Sequence, residues 1–385
     1  MTIGFLYPAG GQADKIRIDN IRNYLKNKKE IKNIQINLNK YYYNDKENFI
    51  INNLKIDKII KKIILKENYD LFLEISVSRN LKNVNKSILD IYTNLLNEIK
   101  DMTILHAETH IPAYICSKIK KRRGIPYVFD MHGLAVAEAI GAGHTISNIE
   151  FSKKIEYEAV KNADNIIVVS NFMKDYLIEE YRVDKNKVIV IPNGANIFEK
   201  RCEYSYPLNI IYGGAFTYYD SIIDYLKTIK ILNGKNYNFY LMGDGPCRNE
   251  LFDYINKEHI DITYLGKKRR KESLNVFSNM QIGMAQSTND LARKVASPVK
   301  VYDYASCGMP IVTNDAGEWT ENIKNYDCGI VTGEKDPKQF AKAIEALSDF
   351  DTWNKKSANC IKLIKDKYLW NEVMKPLDRL YYPFS

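Results

Sequence analysis

A chain of 385 residues exceeds what one core of ordinary size fills, so two domains of roughly 150 to 200 residues each are expected. Hydrophobic residues make up 45% of it with no low-complexity tract, and apolar runs such as "VIVIP" fall far short of the ~20 residues a membrane-crossing helix needs. The formal charge of +9 points to anionic partners, while six scattered cysteines, without a C-x-x-C pair or a nearby histidine cluster, argue against a disulfide framework and a zinc site.

The first strand, "TIGFLYP", has no basic segment ahead of it and runs into Gly10 and Gly11. That is the pattern of a strand and a glycine turn, not of a signal peptide, and it places the protein in the cytoplasm. "LFLEISV", "MTILHAE", "YVFDMHG", "NIIVVS" and "VIVIPNG" follow as strands, with segments of helical period between them. In "SKIKKRRG", five of the six residues from Lys118 to Arg123 are basic and close a helix before Gly124, where cations complement the helix dipole. The run 118–123 is also a candidate for peripheral contact with an anionic membrane face, each basic residue gaining about 1 kcal/mol there. His132 stands at a strand end beside Gly133, with Glu138 six residues on. A polar contact to substrate is the favoured reading, and a turn-capping histidine the plainer one.

The polar stretch 195–207, "ANIFEKRCEYSYP", reads as a linker. It divides the chain into 1–197, completed by 366–385, and 198–365. The second part repeats the alternation, with strands "NIIYGGAF", "NFYLMG", "ITYLG", "IGMAQS" and "MPIVTND" and amphipathic stretches such as "SIIDYLKTIKIL" and "DPKQFAKAIEAL". Strands alternating with helices imply an α/β protein of two doubly wound parallel sheets, with ligands expected at the carboxyl ends of the strands. Gly213 and Gly214, and Gly243 and Gly245, stand between a strand and a helix, where backbone N–H groups can face an anion and where a tight turn is the ordinary use. Neither site is a G-x-G-x-x-G fingerprint or a Walker loop, which disfavours dinucleotide dehydrogenases and P-loop ATPases. "KKRRK", 267–271, follows Gly266 and brings Lys268 and Arg269 as candidate phosphate contacts. With no helix-turn-helix, zinc-finger or RNA-binding strand motif, nucleic acid is not an expected partner.

The segment "SPVKVYDYASCGMPIV" carries the sharpest signal. Pro298 suits the first turn of a helix, which leaves the N–H groups of Val299 and Lys300 for an anion, and the ammonium adds a full charge to the partial one. Asp303, one turn on, offers two acceptors to the neighbouring hydroxyls of a ribose. Together they describe a seat for a nucleotide diphosphate; an internal Lys–Asp helix pair is the bland alternative.

At this point the chain resembles the glycosyltransferases of family 4, the group 1 glycosyltransferases of GT-B fold. The likeness rests on "KNADNIIVVSNFMKDYL" with "VIVIPNGANI", then "LMGDGPCRNEL", "ITYLG", "SPVKVYDYASCGMPIV" and "CGIVTGEKDP" in order and spacing. The resemblance implies two Rossmann-like domains facing a cleft, and transfer of a sugar from a nucleotide-diphosphate donor to a glycan, lipid-linked or polysaccharide acceptor, with retention and without a metal. No cofactor is implied beyond the donor substrate. Asp303 takes the place of the second of the family's paired glutamates, and Val295, eight positions earlier, takes the first; the pattern is that of the subgroup with "P-x-K-x-x-E-Y". Where many members carry a basic residue before a glycine, this chain has "TYYDS", so Lys300 is expected to supply the missing charge, with Lys268, Arg269 or Arg293 in reserve. His132, Lys300 and Asp303 are the implied catalytic residues. Gly213, Gly214, Gly243, Gly245, Ser297 and Val299 join the donor side, and Gly10, Gly11, Glu138 and Asn193 the acceptor side. Two other readings remain open: a degenerate relative that binds a nucleotide sugar or a partner enzyme without transfer, and a sugar-nucleotide epimerase.

Overall fold

The computed structural model describes residues 2–7, 12–26, 32–37, 99, 101–333 and 335–381. The chain forms two compact units, Met1–Val168 with Lys174–Val190 and Pro376–Ser385, and Val169–Met173 with Ile191–Lys375. In the first unit β1 (Thr2–Tyr7), β2 (Lys32–Asn37), β3 (Ile104–Glu108), β4 (Tyr127–Met131), β5 (Asn165–Val168) and β6 (Val188–Val190) form one sheet in the order β2-β1-β3-β4-β5-β6. All its pairings are parallel. Strands β3 and β4 are buried along their whole length, as parallel strands covered on both faces must be. Their carboxyl ends nevertheless carry His106, Glu108 and Asp130, with Glu108 paired to Asp130 in register. Polar side chains at that depth require partners.

The second unit contains β7 (Leu208–Ala215), β8 (Tyr237–Asp244), β9 (Thr263–Tyr264), β10 (Ile282–Met284), β11 (Ile311–Asn314) and β12 (Gly329–Thr332), in the order β12-β11-β10-β7-β8-β9. Counted within the unit and read from β9, that is the doubly wound order 3-2-1-4-5-6, with its switch point between β7 and β10. Alternation along β7 sends Leu208, Ile210 and Tyr212 into one core and Ile211 into the other. On the first side lie the helices Ile222–Ile231 and Pro337–Ala346, burying Tyr225, Leu226, Phe340 and Ile344. On the second lie Val299–Ser306 and Phe350–Leu363, burying Val301, Tyr304, Trp353 and Leu363. Each such side chain contributes about 1.5–3 kcal/mol by leaving water. The sequence starts these helices distinctly: the Asp336 and Asp349 carboxylates accept from the backbone N–H groups of Lys338 and Thr352, and Pro337 occupies the first turn.

Among the described residues, two strands escape the sequence reading, β2 and β12, and both stand last in their strand orders. "KNIQIN" alternates polar and apolar residues, and "GIVT", though its Ile-Val-Thr run matches that of β11, is only half-buried at Ile330 and Val331 where β11 is buried throughout. The segment "LFLEISV" lies outside the described residues. The stretch 195–207 is irregular but held against the second unit: the N–H groups of Phe198 and Cys202 donate to the carbonyls of Ser306 and Cys307. All six cysteines are buried free thiols.

Candidate functional site

At the switch point of the second unit, β7 and β10 run side by side and the chain departs from them to opposite sides. The residues just beyond their carboxyl ends form a recess with the start of the helix Val299–Ser306. Asp220, Gln286, Arg293, Pro298, Lys300 and Trp319 are among its walls. The helix begins after Pro298, an extended residue with φ −73° and no side chain capping the first turn. Its leading N–H groups thus have no side-chain partner at the cap, the condition in which a helix start attracts an anion.

Lys300 reaches from that first turn back across β7. A Cβ at Gly214 would lie 3.0 Å from Lys300 Cε and 3.2 Å from Nζ, so the bare glycine makes room for the lysine's passage. The ammonium then donates to Asp220 Oδ1 at 2.6 Å and to the Tyr212 hydroxyl at 2.7 Å, with the Tyr212 ring centroid 4.3 Å away. Arg293 donates to the same Asp220 oxygen at 3.3 Å while its guanidinium stacks 5.0 Å from the Tyr219 ring centre. The second Asp220 oxygen accepts from the Thr217 hydroxyl. Asp220 is only 5% exposed. Burial pushes its carboxyl up, but Lys300 and then Arg293 more than reverse this and hold it below the ordinary range. Lys300 moves down, because burial outweighs the attraction of Asp220. Two cations thus face one carboxylate, leaving a net positive charge in a largely dry recess.

Asp303 follows one turn later. It is buried, and its Oδ1 accepts from the Arg270 guanidinium at 2.7 Å. Burial raises its carboxyl against the pull of Arg270. Arg270, from the basic run 267–271, is the member that meets a candidate site residue; Arg269 caps its own helix with Glu272 and has a side chain 89% exposed. Lys268 is half-buried. Ser297 is engaged structurally: its hydroxyl accepts from the Asn193 N–H at 3.0 Å and meets the Tyr302 hydroxyl, while the Asn193 side-chain amide donates to the Ser297 carbonyl at 2.7 Å. The N–H groups of Gly213, Gly243 and Gly245 go to the Tyr304 hydroxyl, the Gly266 carbonyl and the Asp244 carboxylate. At Gly243, with φ +141°, a Cβ would stand 1.8 Å from the carbonyl oxygen of Gly214, its register partner, so close backbone packing between the carboxyl ends of β7 and β8 is what this glycine secures. Val299 opens the helix beside Lys300.

In the first unit, His132 follows β4 and its Nε2 lies 2.9 Å from Glu108 Oε2 and 3.6 Å from Asp130 Oδ2. Asp130 takes two bonds from Arg17, at 2.8 and 2.9 Å, and both side chains are essentially sealed. Burial pushes the Asp130 carboxyl up, yet Arg17 and then His132 drive it well below the usual carboxylate range. His106 lies between Glu108 Oε1 at 3.1 Å and the Tyr381 hydroxyl. Burial lowers it, but Asp130 and Glu108 overcome that and raise it. His106, Glu108 and Asp130 approach within 4.8 Å, a set of metal-ligating types in which the Arg17 guanidinium already supplies positive charge. A Cβ at Gly133 would fall 2.1 Å from Glu138 Oε1, so Glu138 folds back over that turn. Gly10 and Gly11 lie outside the described residues. In the run 118–123, Lys118 pairs with Glu158 and Lys120 with Asp164 at 2.7 Å, while Lys121 and Arg123 are exposed.

The sequence reading reached Lys300 and Asp303 but not Asp220, Gln286 or Arg270. Asp220 was visible only as the absence of a basic residue in "TYYDS". The i, i+2 spacing of His106 and Glu108 on β3, which puts both on one face, was a usable signal for the first-unit cluster.

Residues 60–197 match the family model described as Glycosyltransferase Family 4, and residues 207–349 that described as Glycosyl transferases group 1. An uncharacterized glycosyltransferase of Methanocaldococcus jannaschii is 22% identical over 297 residues, spanning 72% of this chain and 74% of that protein. Among solved structures, sucrose-phosphate synthase from Thermosynechococcus elongatus has a TM-score of 0.74 at 14% identity, covering 100% of this chain and 98% of that one. HepE of Anabaena in complex with UDP-glucose has a TM-score of 0.72 at 13% identity, with 100% of both chains covered. At such identities the likeness speaks to the fold, two parallel-sheet α/β domains of the GT-B kind. The two family matches, consecutive along the sequence and together spanning most of it, place the chain among the group 1 glycosyltransferases of family 4.

Proposed function

We propose that the protein transfers a sugar from a nucleotide-diphosphate donor to a glycan, lipid-linked or polysaccharide acceptor, with retention at the anomeric carbon and without a metal ion. The observation that carries this reading is the recess at the β7/β10 switch point, where Lys300 and Arg293 converge on Asp220 beside the uncapped start of the helix Val299–Ser306. A departing diphosphate needs its growing negative charge matched by fixed dipoles and cations, and such preorganised stabilisation is usually the largest part of catalysis. Lys300 and Arg293 supply the cations and the helix start the dipole. Asp303 and Arg270 form the adjoining polar pair, with Asp303 offering its second oxygen to the ribose. His132, steadied by Glu108, stands on the acceptor-side unit with Glu138. In front-face transfer the diphosphate oxygen takes the acceptor's proton, so no protein base is assigned.

HepE, solved with UDP-glucose, makes uridine nucleotides the first donors to try. The acceptor-side domain is proposed as 1–197 with 366–385 and the donor side as 198–365, bounds that differ from the compact units at 169–173, 191–197 and 366–375, which group with the second unit. Exposed Lys121 and Arg123 support peripheral contact with an anionic membrane face from the cytoplasm.

The presence of Asp220 favours a second reading, binding without transfer, because the carboxylate already neutralises one of the two cations a diphosphate would use. Release of nucleoside diphosphate separates the two. Incubation with UDP-, GDP- and ADP-sugars is expected to liberate diphosphate from one donor, faster with acceptor; saturable binding with no release would favour the second reading.

A further inference from the structure

We propose that Gln286 and Trp319 hold hydroxyl groups of the transferred sugar and so take over the contact that Val295 cannot make. The proposal rests on the donor reading given above and adds to it the residues that read the sugar. Gln286 follows β10 at the carboxyl edge of the sheet and is 1% exposed, yet neither its amide oxygen nor its amide nitrogen has a hydrogen-bond partner among the described residues. Trp319, 4% exposed, likewise has an unpartnered indole N–H. An amide sealed from water with both ends unpaired is costly to keep, and such groups are rare in folded proteins unless something absent from the structure pairs with them. Both residues line the recess into which Lys300 and Arg293 bring their charge, and Arg293 Nε is unpartnered too.

Their chemistry assigns the occupant. Cations are placed to meet phosphate; a neutral amide with donor and acceptor ends, beside a donor-only indole, matches alcohols, which both give and take a hydrogen bond. Val295 is buried, and its carbonyl accepts from the Ser170 hydroxyl at 2.7 Å. Polar groups for the sugar come instead from just after β10 and from the first turn of the helix Glu318–Tyr326. Selectivity follows, since a site built to pair with hydroxyls rejects sugars that lack them at the right place.

Two variants test this, Gln286→Met, which keeps the volume and removes the amide, and Trp319→Phe, which removes the indole N–H together with part of the ring, so that its unliganded melting temperature is read beside its affinities. Calorimetric titrations with UDP-glucose, UDP-N-acetylglucosamine, GDP-mannose and ADP-glucose, and with UDP, GDP and ADP, give paired affinities. For the best-bound nucleotide sugar, Gln286→Met is expected to lose about tenfold and Trp319→Phe about threefold to tenfold in affinity, with the matching diphosphate unchanged within about twofold. Without ligand, Gln286→Met should unfold at the wild-type temperature or higher, because it removes an unpaired amide. Equal losses for nucleotide sugar and diphosphate, no loss for either, or a destabilised Gln286→Met would overturn the assignment of Gln286 and Trp319 while leaving the donor reading standing. If wild-type protein binds none of the seven compounds, the donor reading fails and this assignment with it.

Discussion

Replacing Asp220 by asparagine isolates the charge arrangement on which the site is built. Asp220 Oδ1 lies 2.6 Å from the Lys300 ammonium and 3.3 Å from Arg293, and the asparagine amide keeps the volume while deleting the charge. Two cations then remain in the recess without a counter-charge. Breaking a buried pair costs about 3–5 kcal/mol, and for a unit of this size each kcal/mol lowers the melting temperature by about 2–4 °C, so a loss of roughly 6 to 20 °C is expected near neutral pH. Lys300, already pushed down by burial, falls further in the variant, which limits the loss. A cation whose folded value lies below its unfolded one weakens the fold where only the unfolded chain holds the proton, so the variant should regain stability as pH rises toward about 10. A nucleoside diphosphate brings the missing negative charge. UDP at a hundred times the wild-type dissociation constant adds about 2.7 kcal/mol to wild type, and at that same concentration the variant, binding it more tightly, should show the larger thermal shift. Calorimetric melting with and without UDP, at low and high salt, reads all of this. A variant as stable as wild type, or one whose midpoint UDP raises no more than it raises wild type, would refute the placement of the diphosphate at Asp220.

Lys300→Ala should cut transfer by on the order of 100-fold, as expected for one preorganised donor to a developing anion, with diphosphate release as the assay. Gly214→Ala sets a methyl 3.0 Å from Lys300 Cε and should displace the ammonium by a few tenths of an ångström, lowering turnover by about threefold to tenfold with little change in melting temperature. In the first unit, His106 is raised in the folded state, so its contribution is complete below about pH 6.5 and fades as pH climbs through the folded value. His106→Gln should flatten the decline of the unfolding midpoint above about pH 6.5, and parallel curves would remove His106 as its source.

How legible the molecule was depended on whether a residue's partner lies near it in sequence. Strands such as β5 showed as apolar runs, which a parallel sheet covered on both faces favours, whereas "KNIQIN" of β2 is half polar and the four residues of β12 were passed over although "GIVT" is as apolar as the "IVTN" of β11. Lys300 stood out because proline, lysine and aspartate in one turn already describe a charged helix start. Its counter-charge did not, since Asp220 lies 80 positions away and meets it only when the loop after β7 folds over the switch point. Arg270 was hidden differently, as one of five basic neighbours of which the helix register selects one for Asp303. Gln286 read as the polar end of a strand, and its unpaired amide became visible only when burial and hydrogen bonding were known together.

The most direct measurement is a crystal structure with UDP bound. Diphosphate oxygens within hydrogen-bond distance of Lys300 Nζ and of the first N–H groups of the helix Val299–Ser306, with a ribose hydroxyl on Asp303, are the expected result. UDP seated elsewhere, with Lys300 and Arg293 still closed on Asp220, would contradict it.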